Sequence, residues 1–205
     1  MCMQDLNLRP YALGALYHHE ALNGTGYPRG LYKKDIPIEG QIIRVADEFD
    51  AIVSKRQYKS HIGITDTLKI LVEETQYVPK VVALKSIEEN TKIGKLNPKV
   101  VRTLFKVVIE DIEYEISGIF EYRKFLEEQV HRLEKINEYN IKMQKTHRQS
   151  KKDYYMEGIK LLLREGEDIK NFKFVLEDYR TALFTRKEKI DKLFSEIKEI
   201  KKLRC

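Results

Sequence analysis

The sequence predicts an all-α chain, and three observations carry that expectation. Apolar residues return at helical spacing where they cluster, as in Leu8, Tyr11, Ala12 and Ala15–Leu16. Proline is absent from 99 to 205, so more than a hundred residues lack the strongest helix breaker. Within that stretch Ile169, Leu176, Leu183, Ile190 and Ile197 repeat every seven residues, with Phe172, Tyr179, Arg186, Leu193 and Ile200 three further on. Nine of these ten positions are apolar or aromatic, which is the seam of a coiled-coil helix.

Taken in order, residues 1–17 read as the tail of a helix that feeds His18. Residues 38–54 form the next helix, with Ile38, Ile42, Val45, Phe49 and Ile52–Val53 expected on its apolar side. Residues 64–89 continue helically, with Thr65 and Asp66 as capping candidates and a turn at Pro79. Pro98, preceded by Asn97, suits the first turn of a new helix. Beyond it, Ile112, Ile119, Leu126, Leu133 and Asn140 form a second, less complete heptad column. Residues 144–153 lose the stripe and read as a connection between two long helices, an antiparallel hairpin or arms that pair with another chain. The expected organisation is therefore a helical bundle over 1–108 and a coiled-coil extension over 109–205.

Charge is abundant and divided evenly between the halves. Of 205 residues 34% are charged, and the formal charge is +6. Lys and Arg against Asp and Glu number 14 to 12 over residues 1–100 and 24 to 20 over 101–205. That mixture describes helix surfaces and argues against a nucleic-acid stripe. The two cysteines, Cys2 and Cys205, offer neither zinc spacing nor a disulfide framework, which suits a reducing cytoplasm. No apolar run approaches the ~20 residues of a membrane span, and no signal-peptide core opens the chain.

The chemistry concentrates in residues 18–31. His18, His19 and Glu20 are followed by Gly24, Gly26, Pro28 and Gly30. Imidazole is largely neutral near pH 7 and keeps a lone pair for a metal. The glycines permit close backbone approach, and Pro28 stiffens the turn. The expectation is a rigid loop at the mouth of a metal site. Asp47 and Asp50 lie three apart on the following helix, where Asp47 flanks the apolar stripe. His131 and His147 sit in polar surroundings and read as solvent-facing.

These residues resemble the C-terminal half of an HD-GYP domain, a subclass of the HD-superfamily metal-dependent phosphohydrolases. The resemblance rests on HHE at 18–20, NGTGYPRGL at 23–31, IP at 36–37, IIRVADEFDA at 42–51 and RQYK at 56–59, with a weaker echo in LNPKVV at 96–101. Asn23 departs from the usual Asp. The resemblance implies cyclic di-GMP phosphodiesterase activity at a centre of two or three divalent ions, Fe or Mn. It implies His18, His19 and Asp47 as metal ligands and Glu20 behind them, orienting an imidazole. Gly26, Tyr27 and Pro28 would wall the substrate side, and Arg56 and Lys59 would grip phosphate or guanine. It also implies protein partners of the diguanylate-cyclase type.

The HD dipeptide of such domains lies upstream of HHE with further ligands. Here seventeen residues precede His18, and none is His or Glu. The expectation is thus a truncated gene product or one half of a split domain, weak or inactive by itself. The alternative is a catalytically inactive remnant that serves as an interaction or coiled-coil scaffold. The apolar seam at 169–200 predicts self-association or a tight hairpin.

Overall fold

A computed structural model describes residues 9–54, 63–76, 93–165 and 167–203. Six α-helices account for most of them: α1 Arg9–Tyr17, α2 Ile38–Ser54, α3 Ile64–Thr75, α4 Pro98–Lys145, α5 Gln149–Leu162 and α6 Phe172–Lys202. Among the described residues no strand forms beyond an isolated antiparallel bridge between Asn23 and Tyr32. The chain is all-α, as its periodicity requires.

The chain divides into two compact units, residues 1–111 with 196–205 and residues 112–195.

In the first unit α1 packs on α2 and α2 on α3. Its core holds Ala21, Leu22, Ile36, Val45, Leu68, Leu71, Leu96, Val101 and Phe105, all at most 7% exposed. Burial of each large side chain contributes ~1.5–3 kcal/mol. Two expectations for these helices need correction. Ile38 and Ile42 are 52% and 49% exposed, because the inward face of α2 is built around Gly40 and Val45. A Cβ on Gly40 would lie 3.0 Å from Tyr17 Cβ, so glycine lets α2 approach α1 closely here. Helix α3 starts after Gly63 without a side-chain cap, so Thr65 and Asp66 do not supply one. It stops at Thr75; the expected continuation through 77–89, including the turn at Pro79, lies outside the described residues.

Helix α4 begins as its sequence indicates. Pro98 takes the first helical position, and Asn97 Oδ1 accepts the Lys99 backbone N–H at 2.9 Å. The Asn97 amide also donates to Gln41 Oε1 at 2.7 Å, which ties this start to α2.

The second unit is an antiparallel arrangement of α4 against α5 and α6. Lys189 pairs with Glu115 at 2.6 Å and Arg180 with Glu134 at 2.7 Å, so α6 descends as α4 ascends. Leu133, Ile136, Ile159, Phe172 and Leu176 form its core. Arg186, the one seam position that is neither apolar nor aromatic, lies over the Tyr122 ring at 5.4 Å. The returning arm is broken once more than the sequence suggests, between Leu162 and Phe172. Arg132 braces the break: it donates to the Leu162 carbonyl at 2.7 Å and forks onto both Glu167 oxygens at 2.5 and 2.6 Å.

Candidate functional site

Helix α1 ends in the histidine pair. His18 Nδ1 lies 2.8 Å from the Ala15 carbonyl oxygen. A carbonyl only accepts, so the contact requires a proton on Nδ1, and in the neutral ring that tautomer presents the Nε2 lone pair to a metal. The rings of His18 and His19 stand 3.9 Å apart at 40°, and Tyr27 stacks on His19 at 4.6 Å. The chain then turns inward, with Glu20, Ala21 and Leu22 each at most 3% exposed.

Glu20 is a buried acid with its hydrogen bonds filled by the loop. Its Oε1 accepts the Arg29 N–H at 2.7 Å and its Oε2 accepts the Leu31 N–H at 2.9 Å. It clamps the Gly-Tyr-Pro loop, while the Ala15 carbonyl orients His18. Buried carboxylates need such partners, and these two backbone donors would otherwise go unmet.

The loop glycines answer separate demands. Gly24 and Gly30 adopt φ of 76° and 64°, the left-handed region that glycine favours. A Cβ on Gly26 would lie 2.3 Å from the Ala21 backbone nitrogen, where neither backbone can yield. Asn23 Oδ1 accepts from the Thr25 N–H at 3.2 Å and the Thr25 hydroxyl at 2.7 Å. An amide oxygen therefore holds this turn. Tyr27, 60% exposed, stands at the loop surface beside Pro28. Arg29 reaches back to the Tyr17 hydroxyl at 3.1 Å.

Arg44 is a functional candidate that sequence reasoning missed. Its Nη1 donates to the His19 carbonyl at 2.9 Å, and its Nη2 lies 3.4 Å from Glu48. It thereby fixes the histidine pair to α2 one turn before Asp47. Its place within IIRVADEFDA at 42–51 is the hint in the sequence.

The other expected residues fall as follows. Asp47 is exposed on α2, and Asp50, also exposed, accepts from Ser54 at 3.2 Å. Arg56 and Lys59 lie outside the described residues. Among the described residues no three His, Cys, Asp or Glu side chains come close enough together to hold a metal ion. The histidine pair has the right chemistry for one, but the described residues do not fit a complete divalent-metal centre.

The HD domain family matches residues 2–81. A cyclic di-GMP phosphodiesterase of Thermotoga maritima is 38% identical over 111 residues, 54% of this chain and 24% of the relative. A cyclic di-GMP phosphodiesterase response regulator of Xanthomonas campestris is 56% identical over 48 residues, 23% of this chain and 13% of the relative. A 3'3'-cGAMP-specific phosphodiesterase of Vibrio cholerae is 45% identical over 56 residues, 27% of this chain and 12% of the relative. The matched stretch is thus a quarter or less of each of these curated relatives. No solved structure matches. The match over residues 2–81 and the cyclic di-GMP phosphodiesterase relatives support an HD-superfamily domain of the HD-GYP type in this part of the chain, and such domains imply dependence on divalent metal.

Proposed function

We propose that this chain contributes the His18–His19 corner of a divalent-metal phosphodiesterase centre that hydrolyses a cyclic dinucleotide, cyclic di-GMP first, in the cytoplasm. The observation that carries the reading is the His18 Nδ1–H bond to Ala15, which leaves Nε2 available beside a second imidazole. The names of the Thermotoga and Xanthomonas relatives support cyclic di-GMP, and the Vibrio relative makes 3'3'-cGAMP the competing substrate. In this reading His18, His19 and Asp47 are metal donors, and Fe or Mn suits such His and carboxylate ligands. Gly26, Tyr27 and Pro28 face the substrate, and Arg56 and Lys59 bind its phosphates or guanine. Because three donors are not gathered among the described residues, the centre requires further ligands, and this chain by itself turns over weakly or not at all.

That same shortfall favours a second reading, an inactive HD-GYP module that works through protein contacts. Tyr27 at the loop surface is the natural contact for a diguanylate-cyclase-type partner, and self-association belongs to this reading too.

One experiment separates the two. Bound Fe and Mn are measured by elemental analysis, and linear dinucleotide formed from cyclic di-GMP by chromatography, for the chain and for His19→Ala and Asp47→Ala. The first reading expects substoichiometric metal that both variants lose. Full turnover by the chain alone overturns the incompleteness. Metal content unchanged in both variants overturns the assigned donors and leaves the module reading.

A further inference from the structure

An even split of charge between the two halves of the chain conceals a local excess. Residues 139–152 carry Lys142, Lys145, Arg148, Lys151 and Lys152 and no carboxylate. Five of the six net positive charges of the protein therefore lie in fourteen residues, leaving one for the other 191. The fold gathers them at one place, the apex of the second unit, where α4 ends at Lys145 and α5 begins at Gln149. Lys142 is engaged by Glu138 one turn back. Lys145, Arg148 and Lys151 are exposed, and Lys152 is half-buried. The amino end of α5 has no side-chain cap, so its backbone N–H groups add to the positive field.

Glu138 and Asp153 bound this run, and two exposed apolar or aromatic side chains accompany it. Ile141 is 41% exposed and Tyr154 is 65% exposed. Contact between the Tyr139 and Tyr155 rings sets α4 and α5 in register, so Ile141 and Tyr154 stand at one level below the apex. Gly158 makes that register possible, since a Cβ there would lie 2.7 Å from the Tyr139 ring.

We propose that the α4–α5 apex docks on an anionic lipid bilayer, with Lys145, Arg148, Lys151 and Lys152 facing the headgroups and Tyr154 and Ile141 at the interface. Three features select a bilayer over a nucleic acid. Four of the five cations are lysines, point charges suited to a diffuse anionic surface, whereas phosphate forks and base edges call for arginine. They cluster around a convex corner and form no stripe along a helix face, as a duplex would require. Tyrosine beside lysine is the composition of a membrane–water interface. The contact is peripheral, and no helix of the described residues is long and apolar enough to cross a membrane.

The test is flotation of the whole chain with phosphatidylcholine vesicles, with and without phosphatidylserine, at low and raised salt. Binding only to the phosphatidylserine vesicles, weakened by salt, is expected. Each cation near such a surface changes partition about five-fold, so Lys145→Glu, Arg148→Glu, Lys151→Glu and Lys152→Glu together reduce it several hundred-fold or more. Circular dichroism checks that the variant stays helical; if it does not, the corresponding four Gln substitutions decide. Tyr154→Ser weakens binding without changing its salt dependence. Equal binding to both vesicle types, no binding at low salt, or unchanged binding by the charge variants overturns the proposal. Tighter binding to duplex DNA or RNA than to phosphatidylserine vesicles also overturns it, in favour of a nucleic acid.

Discussion

The Glu20 carboxylate accepts the Leu31 backbone N–H at 2.9 Å, eleven residues on, and so closes the loop that carries Tyr27 and Pro28. Its other oxygen takes the Arg29 N–H, so both ends of the loop's returning segment hang from one side chain. Glu20→Gln keeps one acceptor and turns an amide N–H2 toward a backbone donor. A buried unmet donor costs about 1–3 kcal/mol. Urea unfolding should show that loss, and trypsin should cut after Arg29 faster than in the parent chain. Unchanged stability and unchanged cleavage would remove Glu20 from this role.

Glycines in this chain divide sharply by their surroundings, which gives a paired test. Gly26→Ala drives a Cβ to 2.3 Å from the Ala21 nitrogen, and the resulting clash should lower stability by about 3 kcal/mol. Gly118 lies inside α4 with nothing within 4 Å of a Cβ, so Gly118→Ala should raise stability by about 1 kcal/mol. Thermal melts of the two variants should move in opposite directions.

Arg132 and Glu167 give the second unit a pH dependence of known sign. The Arg132 guanidinium holds the Glu167 carboxyl below the usual carboxylate range, with the Arg164 N–H assisting. A depressed folded value means that the ionised acid stabilises the fold above the unfolded value. That contribution is full at neutral pH and fades as pH falls through the depressed value. Glu167→Gln should flatten this part of the acid unfolding curve and cost about 1–3 kcal/mol at neutral pH. An acid limb identical to that of the parent would exclude the pair as its source.

The part of the structure legible in the sequence is the part decided locally. Pro98 after Asn97 marks the start of α4 because capping is settled within three residues. The seam from Phe172 to Ile200 is legible because heptad spacing needs no partner to be recognised. What the periodicity misreads depends on contacts far along the chain. Ile38 and Ile42 point outward because Gly40 meets Tyr17, a contact across twenty-three residues that no helical wheel contains. The stop of α5 at Leu162 is braced by Arg132, thirty residues away. At the site, the histidine pair and the need for glycines were readable, but the partners of Glu20 were not, since nine and eleven intervening residues form no regular element.

The α6 seam offers a test of how the second unit holds together. Ile190 is 4% exposed, and Leu183 is half-buried one heptad earlier. Placing Asp at both buries charge against apolar neighbours, and either substitution alone should cost about 3 kcal/mol or more. Circular dichroism should lose helix, and light scattering should report whether copies separate. Unchanged helicity together with unchanged mass would show that the seam holds nothing.

Arg44 should govern where His19 stands. Its Nη1 binds the His19 carbonyl, its Nη2 meets Glu48, and its Nε is buried without a hydrogen-bond partner. Both interactions use one planar fork, which a lysine does not reproduce. Arg44→Met removes the donor from the His19 carbonyl, at a cost of about 1–2 kcal/mol, and frees the histidine pair from α2. Arg44→Lys keeps the charge and should fall between the two. The imidazole resonances of His18 and His19 are the direct readout, and they should shift in Arg44→Met. Those of His131 and His147, which lie in the second unit, should stay in place. Movement of all four sets would indicate general unfolding, and movement of none would show that the carbonyl contact does not position the pair.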